Sequence, residues 1–200
     1  MGRIAVDVVV LPEVTISERA IRANAALVAA GHGEIVLGEG RGLPHVSLCM
    51  GCLDERDIGA AEAVLREIAA GQMLDGLRIS QTYVRRNAQR QDISYYVVER
   101  TDKLQRLHQT VMRRLGSMLT YDVTARMLYG DEPIAPTTLE WIRTYPEQAG
   151  FEKFLPHITL GYGAVAEDPG LPMDCGPGRL AICRLGNHCT CREVLSAVPL

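Results

Sequence analysis

The chain has 200 residues, 47% of them hydrophobic and 22% charged, with a formal net charge of −3. That describes one soluble globular domain, or two small lobes sharing a core. A weakly acidic balance with no long basic run excludes a protein that grips many phosphates of a long duplex nucleic acid. A small phosphorylated ligand, which needs only a few donors, stays open.

"RIAVDVVVLP" is rich in β-branched residues and stops at Pro12, so it reads as a strand. Thr15-Ile-Ser-Glu18 is a capping box that predicts a helix to about Ala30, stopped by Gly31 and Gly33. "LPHVSLCM" reads as the next strand, closed by Gly51. Asp54-Glu-Arg-Asp57 opens a second helix with Gly71 as its C′ residue. "LRISQTYV" and "ISYYVVER", joined by "RRNAQRQD", predict a hairpin whose Arg85, Arg86 and Arg90 are either a solvated tip or substrate-facing. Asp102-Lys-Leu-Gln105 caps a third helix to about Leu119, with Leu104, Leu107, Val111 and Leu115 as its apolar stripe. Thr137-Thr-Leu-Glu140 starts a short helix that Pro146 should end. After "FLPHITLGYG" comes a Pro- and Gly-rich loop, then "RLAICRL" and "HCTCREVL" as a hairpin turning at Gly186-Asn187. Strands joined by short hairpins favour an α+β protein with antiparallel sheets over a doubly wound parallel sheet.

The longest apolar runs, such as "IAVDVVVL" and "AALVAA", are too short to span a bilayer, so no membrane partner is expected. No basic n-region or small-residue cleavage site opens the chain, and Val6 stands where a myristoylation signal wants Ser or Thr. A cytoplasmic location is expected. Six cysteines are too few for a disulfide framework at this length. Cys49-Met-Gly-Cys52 and Cys189-Thr-Cys191 have metal-like spacing, but zinc needs convergent ligands, and Cys49 and Cys52 on a strand point to different faces. Free thiols are expected, with no metal and no other cofactor.

One phrase is written twice. Leu43-Pro-His-Val-Ser-Leu48 returns as Leu155-Pro-His-Ile-Thr-Leu160, and five of nine positions agree from Leu43 to Gly51 against Leu155 to Gly163. In a strand, residues i and i+2 share a face about 6.6–6.8 Å apart. His45 and Ser47 therefore point one way, as do His157 and Thr159, while Val46, Leu48, Ile158 and Leu160 face a core. A strand histidine bonded to nearby backbone is the ordinary reading of either phrase alone. Paired, with a hydroxyl at the same offset, the two phrases point to a cleft. Two imidazoles supply a base and an acid near neutral pH, and two hydroxyls can donate to the non-bridging oxygens of an anion. In-line cleavage of a phosphodiester needs that set. His32, His108 and His188 lack the hydroxyl and the apolar frame; His108 is expected on a helix surface or in helix packing, and His188 at a turn.

The pair "PHVSL" and "PHITL", on separate strands with helices between, resembles the 2H phosphoesterase superfamily, whose signature is two His-x-(Thr/Ser)-x tetrapeptides. The element order of that superfamily covers nearly the whole chain. The resemblance implies one domain over residues 1–200, made of two lobes. Their antiparallel sheets would be related by a pseudo-two-fold, with helices on the outer faces and the active cleft between the sheets. It implies that His45 and His157 are the acid/base pair and that Ser47 and Thr159 bind phosphate. The substrate would be a nucleotide or RNA end carrying a 2′,3′-cyclic phosphate, or a related 2′-5′ linkage, cleaved without metal by a monomer. A module that binds such an end without turnover would use the same groups. Tyr83, Tyr95, Tyr96 and Tyr162 could stack a base, and Cys49, two residues past Ser47, could reach the cleft.

Overall fold

The computed structural model describes residues 2–71, 74–87 and 89–200. β1 (Arg3–Leu11) is buried along all but its first residue, as a central strand with an almost continuous apolar run should be. On one side it pairs with β2 (Val46–Asp54), on the other with β7 (Arg179–Leu185), which in turn pairs with β8 (Cys191–Pro199). The second sheet has the order β5 (His157–Tyr162), β4 (Asp92–Val98), β3 (Leu77–Arg86), β6 (Met173–Cys175). Both sheets are four-stranded and wholly antiparallel. With four α-helices among the described residues, the protein is α+β. Among the described residues no helix is long and apolar enough to cross a membrane.

The helices are α1 (Val14–Ala29), α2 (Ile58–Gly71), α3 (Asp102–Arg114) and α4 (Pro136–Ala149). They pack crosswise. α1, which joins β1 to β2, lies against β5 of the other sheet; α3 and α4, which lead from β4 to β5, lie against β2; α2 covers β7 and β8. One buried cluster therefore draws on both sheets, from Val6, Val46 and Leu48 to Ile79, Ile158 and Leu160.

Several local expectations yield to tertiary contacts. α1 starts at Val14 behind Glu13 with no side-chain cap, so the capping box at Thr15 does not form. Glu13 turns its carboxylate to the Gly176 N–H instead, at 2.9 Å. Thr101, not Asp102, caps α3, accepting from the Leu104 N–H at 3.2 Å. α4 is capped by Ala135 and runs through Pro146 to Ala149. A proline costs a helix one N–H bond, and here burial of Ile142 and Tyr145 beside it keeps the last turn wound. β2 continues past Gly51 to Asp54; Gly51 is there for space, because a Cβ would lie 2.9 Å from that of Leu119. Gly71 is the last residue of α2 and not the position beyond it. The final hairpin turns through a 3-10 turn, Asn187–Cys189, wider than the two residues expected. Ala88, in the predicted hairpin tip, lies outside the described residues.

Candidate functional site

Both phrases alternate as written. Pro44, Val46 and Leu48 are buried while His45 and Ser47 are partly exposed; Pro156, Ile158 and Leu160 repeat that pattern with His157 and Thr159. Each phrase leads into an edge strand of its own sheet: His45 stands one residue before β2, and His157 is the first residue of β5.

The match extends to atoms. His45 Nδ1 lies 2.7 Å from the Leu43 carbonyl, and His157 Nδ1 lies 2.8 Å from the Leu155 carbonyl. A carbonyl can only accept, so Nδ1 carries the proton in both rings and Nε2 is left with the free lone pair. The proline explains why: it biases the preceding leucine to extended backbone, which turns that carbonyl back toward the ring two residues on. In each phrase the central leucine is then skipped by the neighbouring strand. Val8 and Val9 pair with Cys49 and Ser47 around Leu48, and Ser94 and Tyr95 pair with Gly161 and Thr159 around Leu160. Both are β-bulges, which re-aim side chains next to sites. The bulge also breaks the alternation that would have carried Cys49 to the face of His45 and Ser47; Cys49 is fully buried, beside Gly116.

A bulged leucine has a carbonyl to satisfy, and in both phrases a buried helix side chain from across the fold does it. His108 of α3 donates Nδ1–H to the Leu48 carbonyl at 2.9 Å, and its Nε2 accepts from the Phe151 N–H at 2.9 Å. Asn24 of α1 donates to the carbonyls of Leu160 at 2.7 Å and Ile35 at 2.8 Å, and accepts from the Leu37 N–H at 2.8 Å. Gly161 leaves the room, since a Cβ there would sit 3.1 Å from the Asn24 amide nitrogen. His108 is thus no surface residue. It is stacked on Phe154 with ring centroids 4.0 Å apart, and burial pushes its pKa down to about 4. It holds the strand of the first phrase to the turn that leads into the second.

The surroundings of the two imidazoles differ. Beneath His45, with Nε2 3.8 Å from its Oδ2, is Asp7 of β1, completely buried. Neither Asp7 oxygen has a hydrogen-bond partner among the described residues. Burial raises the Asp7 pKa well above its usual range; the nearby Ser47 hydroxyl and Cys49 backbone offset this only in part. Burial also lowers His45 to about 4, with the Leu43 carbonyl opposing and the charge of His157 adding to the fall. His157 is lowered too, by burial first and with Arg85 contributing, against the Leu155 bond. Beside it stands Tyr95, centroids 5.0 Å apart, and beyond that Tyr83 at 5.4 Å from Tyr95. In register, Thr159 is opposite Tyr95 and Tyr95 opposite Tyr83, one row across the sheet. The other two tyrosines are employed elsewhere: Tyr96 is buried with its hydroxyl on Asp168 at 2.9 Å, and Tyr162 faces His188 at 3.2 Å. Two pockets, one lined by Asp75, Lys103 and Arg106 and one by Glu34, Arg41 and Arg192, include neither histidine. No family model matches the chain, and no curated protein matches it.

All six cysteines are free. Cys49 and Cys52 do not join Cys189 and Cys191 in a four-thiolate cluster; among the described residues the group with converging donor atoms is Asp7, His45 and Cys191. Asp7, His108 and Asn24 were missed by motif reading. The available signal for Asp7 was a lone carboxylate inside "AVDVVV", since an acid in a central strand must be paired, protonated or functional.

Proposed function

We propose that the chain is a metal-independent phosphodiesterase that opens a 2′,3′-cyclic phosphate on a nucleotide or RNA end, in a cleft between two sheets related by a pseudo-two-fold. The observation that carries this is the doubled imidazole geometry: Nδ1–H on the leucine carbonyl two residues back, Nε2 free, a hydroxyl two residues on. The resemblance to the 2H phosphoesterases rests on the same residues. The crosswise helices, the two leucine bulges and their two side-chain anchors support the pseudo-two-fold.

In this reading one histidine takes a proton from water as its oxygen attacks phosphorus, and the other gives a proton to the departing ribose oxygen. The product is a phosphomonoester, and exchange with solvent resets both rings. Ser47 and Thr159 donate to the non-bridging oxygens. Both imidazoles are held toward the neutral form, which suits the base. The acid acquires its proton when the bound anion raises its pKa, as an opposite charge does. That dependence also favours one competing reading, a module that binds a cyclic phosphate end without turnover because neither ring recharges.

Purified protein incubated with 2′,3′-cyclic nucleotides in excess chelator separates the two. Formation of a nucleoside monophosphate is the expected result. Tight binding with no product over hours would establish the module instead.

A further inference from the structure

Asp7, His45 and Cys191 come from three separate strand regions, yet one donor atom of each lies within 4.8 Å of the others. The grouping is held by backbone: the Leu43 N–H donates to the Cys191 carbonyl at 2.8 Å, pinning the lead-in to His45 against the start of β8. Asp7 and Cys191 have no exposed surface, and the His45 side chain retains 13%. Nothing in the proposed chemistry uses the thiol. It also leaves a fully buried carboxylate with neither oxygen in a hydrogen bond among the described residues and with Oδ2 facing His45 Nε2 at 3.8 Å, although the Ser47 hydroxyl and the Cys49 backbone lie nearby. Buried polar atoms without partners are uncommon, and binding an ion is one way such atoms are satisfied.

We propose that these three side chains bind one thiophilic divalent cation, zinc by its chemistry, and that occupation withdraws His45 from proton transfer. The second half rests on the phosphodiesterase reading; the first does not. The donors are a carboxylate oxygen, an imidazole nitrogen and a thiolate, a set that suits zinc and disfavours magnesium or calcium. Tetrahedral zinc at ordinary bond lengths separates its ligands by about 3.3–3.6 Å. The Nε2–Oδ2 distance of 3.8 Å is close to that already. The ring is also oriented for it, because a histidine ligand characteristically gives its other N–H to a backbone carbonyl, here that of Leu43. Charge balances: ionised Asp7 and the Cys191 thiolate together carry −2 against the cation's +2, so the buried site is neutral. Binding expels the thiol proton, and the carboxyl proton if present, to solvent. The metal coordinates the lone pair of His45 Nε2, the atom that would otherwise move the proton. Zinc therefore inhibits, and chelation preserves activity.

Cobalt(II) titrated into the full-length protein under reducing, oxygen-free conditions reads the site without any substrate. The expected result is a single ion per chain, with a near-ultraviolet thiolate-to-cobalt charge-transfer band that zinc abolishes. Cys191→Ser should lose the band; Cys52→Ser should keep it. A wild-type protein with no such band, or one unchanged in Cys191→Ser, overturns the site. Should Cys191→Ser not fold, X-ray absorption of the zinc-loaded wild type decides: one sulfur with nitrogen or oxygen neighbours is expected, and a shell with no sulfur or several sulfurs overturns the site. In the turnover assay, Cys191→Ser should retain activity and need at least about tenfold more zinc for half-inhibition. Cobalt binding without inhibition by zinc overturns the regulatory half alone. A protein with no phosphodiesterase activity that still gives the cobalt band would sink the catalytic reading and leave the site standing.

Discussion

The two copies of the phrase share a backbone and differ in what surrounds it. In both, the histidine is tied to the leucine carbonyl two residues earlier, the central leucine is bulged, and a buried polar side chain from a helix takes up the bulged carbonyl. Around the first, Asp7 and Cys191 form a buried floor of ionisable groups; around the second, Tyr95, Tyr83 and Arg85 form an open flank. Even the trailing glycines differ: Gly51 stays inside its strand, while Gly163 turns out of its strand with φ +87°. Similar hexapeptides fix how an imidazole is presented. What it does next is set by neighbours far away in the chain.

The sharpest way to break the comparison is to remove each ring. His45→Ala and His157→Ala should each lower turnover of a 2′,3′-cyclic nucleotide by ~10²–10⁴, the usual contribution of a positioned acid or base. Denaturation midpoints should move little, since both side chains reach the surface. If either variant turns over the substrate at near-normal rate, the two copies do not act as a pair.

The hydroxyls come next. Thr159→Val keeps shape and removes only the donor, and the barrier should rise by ~2.7–4 kcal/mol if it serves the non-bridging oxygens. Ser47→Ala should cost less, because the same hydroxyl sits near Asp7 and part of its role is local. The pH profile discriminates: hydroxyl variants should keep its two limbs, and histidine variants should lose one. A Thr159→Val profile reshaped at unchanged height would mean that Thr159 orients a ring and does not touch phosphate.

The anchors of the bulges test the comparison through stability. His108→Ala and Asn24→Ala each leave buried partners unpaired and open a cavity, and each should cost ~2–4 kcal/mol in urea unfolding. Only one anchor titrates. The folded-state pKa of His108 is about 4, below its ordinary 6.5, so the unfolded chain binds the extra proton between those values. Its stabilisation is complete above pH 6.5 and is lost as pH falls toward 4. Stability measured at pH 7.5 and pH 5 should drop more in the wild type than in His108→Gln, whereas Asn24 variants should keep the wild-type slope.

Much of this was legible in the chain. The alternation of buried and open residues, the strand character of both phrases and the α+β class follow from spacing of i and i+2 and from hairpin signals, which are local. The floor and the anchors were not legible. Asp7 hides in an apolar strand because the groups that face it, His45 and Cys191, come from distant parts of the chain, and His108 looks like any polar residue on an amphipathic helix until the facing carbonyl of Leu48 is known. The cap of α1 was misplaced for the same reason: Glu13 is claimed by Gly176, 163 residues away.

The smallest effect expected is on the open flank, where Tyr83 is 48% exposed and rests on Tyr95, which rests on His157. A nucleobase laid on that row would cover the outer ring while its phosphate stands at Thr159. Stacking of one base is worth ~1–3 kcal/mol by alanine substitution, and an exposed ring at the edge of the row belongs at the low end. Such an interaction is equal in ground and transition states, so it should appear in KM and not in kcat. Tyr83→Ala should raise KM several-fold for a cyclic nucleotide and leave that for a cyclic phosphate without a base unchanged. Among the described residues the first phrase has no comparable aromatic row, so a loss of equal size for the base-free substrate would place the effect in the sheet, and a loss in kcat would place it at His157.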